Sequence, residues 1–113
     1  MGRKILVVDD EPDMLTVVGK RLEKMGHSVV TADSGDEALA KVEEEQPDLV
    51  LLDIILGDVQ GFDVCRQMRA RGLACKIVIY TAKIDAADAR KAIEVGADDL
   101  TLKSDNQIGR AHV

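Results

Sequence analysis

The chain has 113 residues, 46% of them hydrophobic and 32% charged, with 15 Lys and Arg against 21 Asp and Glu for a formal net charge of −6. That length fits one domain around one core, and the composition excludes a disordered chain, poor in apolar residues, and a membrane span, which needs an apolar run of about 20. The negative balance is the wrong sign for gripping a phosphate backbone, so a direct nucleic-acid partner is not expected.

In chain order, short apolar runs alternate with amphipathic stretches. Residues 5–8 predict a first strand that runs straight into Asp9, Asp10 and Glu11. Pro12 suits the first turn of a helix in which Leu15, Val18, Leu22 and Met25 share one face, and Gly26 stops it. Residues 28–32 predict a second strand. Ser34 with Glu37 makes a capping box for a helix that turns Ala38, Leu39 and Val42 inward, with Glu43, Glu44 and Glu45 on its solvent face and Pro47 at its exit. The run "DLVLLDIIL", residues 48–56, is apolar almost throughout with Asp53 planted in it, the pattern of a central parallel strand covered on both faces.

Gly57 and Gly61 loosen the following loop. A third helix over about 62–71 turns Phe62, Cys65 and Met68 inward. Residues 76–80 predict a fourth strand followed by Thr81, residues 86–95 a fourth helix stopped by Gly96, and residues 100–102 a short fifth strand followed by Lys103. Residues 104–113 lack the apolar spacing to dock a full helix and read as a short or truncated last helix or a tail.

Strands alternating with helices imply βαβ units, hence an α/β, doubly wound parallel sheet with right-handed crossovers. Repeats, low-complexity segments and linkers are lacking, so residues 1–113 are expected to form one domain. The apolar run at 5–8 is too short for a signal peptide, and Leu6 stands where a myristoylation pattern wants Ser or Thr; a cytoplasmic location and no membrane partner are expected. Cys65 and Cys75 read as buried or incidental thiols, and His27 and His112 as surface residues.

The unusual polar residues fall at carboxyl ends. Asp9 and Asp10 follow the first strand, Asp53 ends the third, Thr81 follows the fourth and Lys103 the fifth. Open α/β sheets bind ligands at that edge, above all where the strand order reverses, which in the order 2-1-3-4-5 lies between strands one and three. Taken singly, each residue has a plainer reading: Asp10 or Glu11 at the positive end of a helix dipole, Asp53 as a cap, Thr81 as a turn former, Lys103 on the surface. Taken together, three carboxylates at the top of an apolar sheet are costly unless compensated. A hard divalent cation answers that, and Mg²⁺ takes a few carboxylates, keeps waters and leaves room for phosphoryl oxygens. Thr81 offers a hydrogen bond and Lys103 a charge to a phosphoryl group on Asp53, a carboxylate nucleophile.

The stretches "ILVVDDEPD", "PDLVLLDIIL", "GFDV", "VIYTA" and "GADD", with Lys103, resemble the receiver domain of two-component response regulators along nearly the whole chain. The resemblance implies a flavodoxin-like (βα)5 fold and phosphoryl transfer from a sensor histidine kinase or phosphotransfer protein. It implies Asp53 as phosphoacceptor and Mg²⁺ held directly by Asp10, Asp53 and the Ile55 carbonyl, with Asp9 acting mostly through water. It makes Thr81 the switch hydroxyl, Ala82 the small residue beside the phosphoryl group and Lys103 the phosphate-binding lysine. Three positions depart from the family: Ser104 replaces the proline after the lysine, Gly57 a loop proline, and Leu100 the switch aromatic. The familiar coupling of threonine to that aromatic is therefore not expected, and Tyr80 is the ring nearest Thr81 in sequence.

The leading expectation is a signalling switch that catalyses only its own phosphorylation and dephosphorylation and alters a protein-binding face. Its output partner is a downstream effector protein or an output domain outside this stretch, or a second copy in a phosphorylation-dependent homodimer. Ile55 and Lys83, flanking the phosphoryl position, are expected to slow its hydrolysis. The alternative is a pseudo-receiver that binds partners without phosphorylation, favoured by Leu100 and Ser104. An aspartyl-phosphate phosphatase is disfavoured, because Ile55 stands where the haloacid dehalogenase pattern needs a second aspartate.

Overall fold

Apolar residues at consecutive strand positions need cover on both faces of a sheet, and the helices supply it. The computed structural model describes residues 2–57, 59–82 and 84–103. In order these form β1 (Lys4–Val8), α1 (Pro12–Lys24), β2 (Ser28–Ala32), α2 (Gly35–Glu45), β3 (Leu49–Asp53), β4 (Ile55–Leu56), β5 (Val59–Gln60), α3 (Gly61–Ala70), β6 (Lys76–Thr81), α4 (Ala86–Glu94) and β7 (Asp99–Leu102). The main sheet has five parallel strands in the order β2-β1-β3-β6-β7. Counting its strands alone, this is the expected 2-1-3-4-5.

Two cores follow from the period-two alternation of strand side chains. Leu6, Val8, Val50, Leu52, Ile77 and Ile79 point to the side of α2, α3 and α4, where they meet Leu39, Val42, Phe62, Met68 and Ala92. Ile5, Val7, Leu51 and Tyr80 point the other way, against Val18 and Leu22 of α1. Each fully buried aliphatic or aromatic side chain contributes about 1.5–3 kcal/mol, so the sheet is a stiff platform for whatever stands at its ends. Among the described residues, no helix is long and apolar enough to cross a membrane.

Several local expectations need correction. Met25 is not part of the inward stripe: it caps the end of α1 and is exposed, because Gly26 at φ +95° turns the chain there. The Ser34 hydroxyl accepts from the Glu37 amide at 3.1 Å, but Glu37 returns its bond to the amide of Asp33, at 2.7 Å, one residue earlier than in a standard capping box. Glu43 and Glu45 do more than face water, pairing with Arg71 and with Lys4. Thr81 ends β6 instead of following it, whereas α4 begins at Ala86 as expected, after Asp85, whose carboxylate accepts from the Asp88 amide at 2.8 Å. His27 is half-buried, its Nδ1 accepting from the Arg3 amide at 3.1 Å. Cys65 is buried, and that burial pushes its thiol up to about 11, while Cys75 is half-buried. The readings of Ser104, of His112 and of a last helix lie outside the described residues.

The loop after β3 is also more ordered than two glycines imply. It holds an antiparallel pair, β4 with β5, in which Ile55 opposes Gln60 and Leu56 opposes Val59. Gly57 takes the positive φ of +67° that this tight turn requires. Gly61 serves a different purpose: a Cβ there would collide with the Asp53 carbonyl oxygen and lie 2.9 Å from its carbonyl carbon. Its own amide bonds the Ile54 carbonyl. Gly61→Ala should therefore lower unfolding stability by about 1–3 kcal/mol, read from denaturant midpoints; a wild-type midpoint would mean that β3 and α3 do not touch this closely.

Candidate functional site

Strand register decides which side chains meet. Val8 lies opposite Leu52, and Asp53 opposite Tyr80, which in turn lies opposite Thr101. Asp9, one residue past Val8, therefore falls on the row of Asp53 and Tyr80, and all three side chains point to the α1 face. Lys103, two residues beyond Thr101, points the same way. Its backbone amide donates to the Thr81 carbonyl at 2.6 Å, which holds the chain beside β6 past the end of β7.

The Lys103 ammonium stands among three carboxylates. It lies 3.0 Å from Asp53 Oδ2, 3.1 Å from Asp9 Oδ2 and 2.9 Å from Glu11 Oε1. An ammonium has three protons to donate, so these acceptors use its full capacity. Asp9 is fully buried and Asp53 only 4% exposed. Asp9 Oδ1 accepts from the Glu11 amide at 2.9 Å, and Asp53 Oδ1 accepts from the Ile55 amide at 3.3 Å, two matching turns in which a carboxylate binds the amide two residues ahead. Asp10 is exposed, and its Oδ2 accepts from the Gly57 amide at 3.0 Å.

The electrostatics follow from burial. Desolvation pushes the Asp53 carboxyl up to about 6; the Asp9 charge adds to the rise, and the Lys103 hydrogen bond holds it back. Burial alone would make Lys103 easier to deprotonate, but its bonds to Glu11, Asp53 and Asp9 outweigh that and keep the ammonium charged. The Tyr80 hydroxyl is held neutral by burial and by its bond to Asp9.

Asp9, Asp10 and Asp53 each place a carboxylate oxygen within 4.8 Å of the others. Hard oxygen donors this close, with one lysine among four carboxylates, fit a divalent cation of the Mg²⁺ class. On the other face of the sheet, Thr81 and Ala82 line a groove of about 580 Å³ with Ile55, Phe62, Ala87 and Lys91. Among the described residues, Asp9, Asp10, Asp53, Ile55, Thr81, Ala82 and Lys103 thus gather at one end of the sheet, on its two sides.

Two contributors were missed. Glu11, read as a helix-start carboxylate, makes no capping bond in α1 and turns to Lys103. Tyr80, noted as a neighbour of Thr81, points to the opposite face and donates its hydroxyl proton to Asp9 at 2.5 Å. Parity along β6 was the available signal, since residues 80 and 81 cannot share a face. Lys83 lies outside the described residues.

The raised Asp53 carboxyl has a consequence for stability. Its folded pKa of about 6 lies above the ordinary 3.8, so the folded state holds this proton more tightly and stability falls as pH rises between those values. Without Mg²⁺, Asp53→Asn should be more stable than wild type at about pH 7.5, by something on the order of 3 kcal/mol, and the gap should close near pH 4. Denaturant unfolding across pH measures this; a gap that does not change with pH would show that burial leaves Asp53 unstrained.

A family model for the response regulator receiver domain matches residues 5–109. The alkaline phosphatase synthesis transcriptional regulatory protein PhoP of Bacillus subtilis is 45% identical over 103 residues, covering 91% of this chain and 43% of that protein. The DNA-binding response regulator MtrA of Mycolicibacterium smegmatis is 44% identical over 106 residues, covering 91% and 45%. This chain thus spans less than half the length of those relatives. Among solved structures, the BeF3-activated N-terminal receiver domain of Klebsiella pneumoniae RstA superposes with a TM-score of 0.84 at 36% identity, covering 89% of this chain and 86% of that one. With its flavodoxin-like sheet and the acidic cluster at the carboxyl ends of β1 and β3, the chain belongs to the receiver domain family of two-component response regulators.

Proposed function

We propose that the chain is a phosphorylation switch in which Asp53 accepts a phosphoryl group from a histidine of a sensor kinase or phosphotransfer protein. The observation that carries this reading is the Lys103 ammonium 3.0 Å from Asp53 Oδ2, on a buried carboxylate with two further aspartates beside it. A carboxylate oxygen of Asp53 attacks phosphorus; the new P–O bond forms as the P–N bond breaks, and the electron pair leaves on the imidazole, which takes up a proton. Water later attacks the same phosphorus, restoring the carboxylate and releasing phosphate. Lys103 neutralises charge on the transferring group, and Thr81 and Ala82 offer it a hydroxyl and space at the edge of the groove. Mg²⁺ held by Asp10, Asp53 and the Ile55 carbonyl, with Asp9 through water, would supply charge neutralisation during transfer.

On this reading the protein works in the cytoplasm and its output is a protein contact. The two relatives above are named as transcriptional or DNA-binding regulators, and this stretch, at net charge −6, is the switching part rather than a DNA-contacting one. The position usually held by a rotating aromatic is Leu100, half-buried and packed against the α4-side core, which favours the second reading of a phosphorylation-independent binding module.

Intact mass after incubation with acetyl phosphate separates the two. One added phosphoryl group, requiring both Mg²⁺ and Asp53, is expected in wild type and is expected to vanish in Asp53→Asn; folded wild type that gains no mass would establish the binding module instead. Lifetime provides a finer check. Ile55 is 63% exposed and lines the groove, where it can hinder approaching water. Phospho-Asp53 should therefore hydrolyse faster in Ile55→Asn than in wild type, and a slower loss in the variant would contradict that role.

A further inference from the structure

The acidic cluster has a neutral donor that its charges alone do not explain. Tyr80 is fully buried on the α1 face, packed with Ile5, Val7 and Leu51, so its ring cannot swing out as a switch. β1 and β6 are separated by β3, about 10 Å from strand to strand. The ring is long enough to lean across that gap and place its hydroxyl 2.5 Å from Asp9 Oδ2. A leucine would fill the same core space and leave Asp9 without this bond.

The lone pairs of Asp9 show what the bond does. Oδ1 accepts from the Glu11 amide, and Oδ2 accepts from Tyr80 while lying 3.1 Å from Lys103. With two acceptor sites on Oδ2, the phenol takes one and the ammonium has the other. Remove the phenol, and the buried Oδ2 is left with Lys103, while Oδ1 keeps the Glu11 amide. An ammonium held more tightly by Asp9 would compete with a divalent cation for the carboxylate oxygens of Asp9, Asp10 and Asp53, which lie within 4.8 Å of one another.

We propose that Tyr80 is a positioning residue for the cation site: its hydroxyl fixes Asp9 and shares its neutralisation, so that Lys103 can yield to a divalent cation. The inference rests on the reading of Asp53 as a Mg²⁺-dependent phosphoacceptor. Outer hydrogen-bond partners of metal-ligating side chains typically change metal affinity by one to two orders of magnitude, and because Asp9 would act mostly through water, Tyr80 belongs at the lower end of that range.

The test is Mg²⁺ titrated by calorimetry into the full chain, as wild type and as Tyr80→Phe, which keeps the ring and removes only the hydroxyl. The Mg²⁺ Kd is expected to rise roughly tenfold in the variant. In acetyl phosphate labelling, the half-saturating Mg²⁺ concentration should rise by the same factor, and by more than the saturated rate falls. A merely structural tyrosine would not produce that split. A folded Tyr80→Phe whose Kd stays within about twofold of wild type would overturn the inference and leave the phosphoacceptor reading intact. Wild type that binds no Mg²⁺ would end both.

A second measurement needs no variant. Tyr80 is the single tyrosine in a chain without tryptophan, and the Lys103 ammonium lies 5.4 Å from its ring centroid. Entry of Mg²⁺ should move that charge and alter the tyrosine emission with the midpoint found by calorimetry. Emission that stays flat while calorimetry records binding would overturn the inference, even if Tyr80→Phe did not fold.

Discussion

The site depends on a repulsion that the fold imposes. β1 and β3 are neighbours, and their register brings Asp9 and Asp53 to the same row and the same face, both almost without solvent. Burial is the main reason the Asp53 carboxyl is raised to about 6, and the like charge of Asp9 beside it adds to the rise. Lys103 relieves the pair from the far edge of the sheet. To do so, β7 must lie beside β6 in one register, because a shift of one residue would turn the lysine to the other face. The charged cluster thus makes non-neighbouring strands depend on one another, something the apolar core does not require.

The two faces of the sheet divide the work. Asp9, Asp53, Tyr80 and Lys103 stand on the α1 side, while the groove lined by Thr81, Ala82 and Phe62 opens towards α4. Consecutive residues of β6 connect them: Tyr80 touches the acidic cluster and Thr81 borders the groove. Both residues belong to one strand end beside the carboxylate of Asp53. Lys91 of α4, 5.3 Å from the centroid of the Phe62 ring, ties the helix across that groove to α3. Ile93, on the outer side of the same helix, is 77% exposed.

Much of this was legible in the sequence because it depends on patterns with a fixed period. Apolar runs at 5–8 and 48–56 marked buried parallel strands, the capping residue Ser34 marked the start of α2, and the strand ends collected Asp9, Asp10, Asp53, Thr81 and Lys103. What escaped was contact across large sequence separation. Glu11 is 92 residues from Lys103, and Tyr80 is 71 from Asp9. A carboxylate at a helix start has an adequate local explanation, and so does an aromatic in a strand, so neither asked for a distant partner. The β4–β5 pair escaped because two-residue strands have no periodicity to read. Gly61 escaped because the need for it comes from the Asp53 carbonyl it packs against, not from its own dihedral angles.

One departure from the family pattern, Gly57, shares a physical sense with Tyr80. Where the family usually has proline in the loop after the phosphoacceptor, Gly57 takes φ +67°, outside the range of a pyrrolidine ring, and uses its N–H to bind Asp10 at 3.0 Å. A proline there would have no N–H to give. At position 80 a phenol binds Asp9 where an aliphatic side chain would only fill space. Both residues add a neutral donor to an aspartate of the cluster, so the extra bonds spread the negative charge without adding a competing positive one. A second lysine would quiet the repulsion more strongly, but it would also exclude a divalent cation by its own charge. Neutral donors hold the carboxylates in place and leave their charge on the cluster.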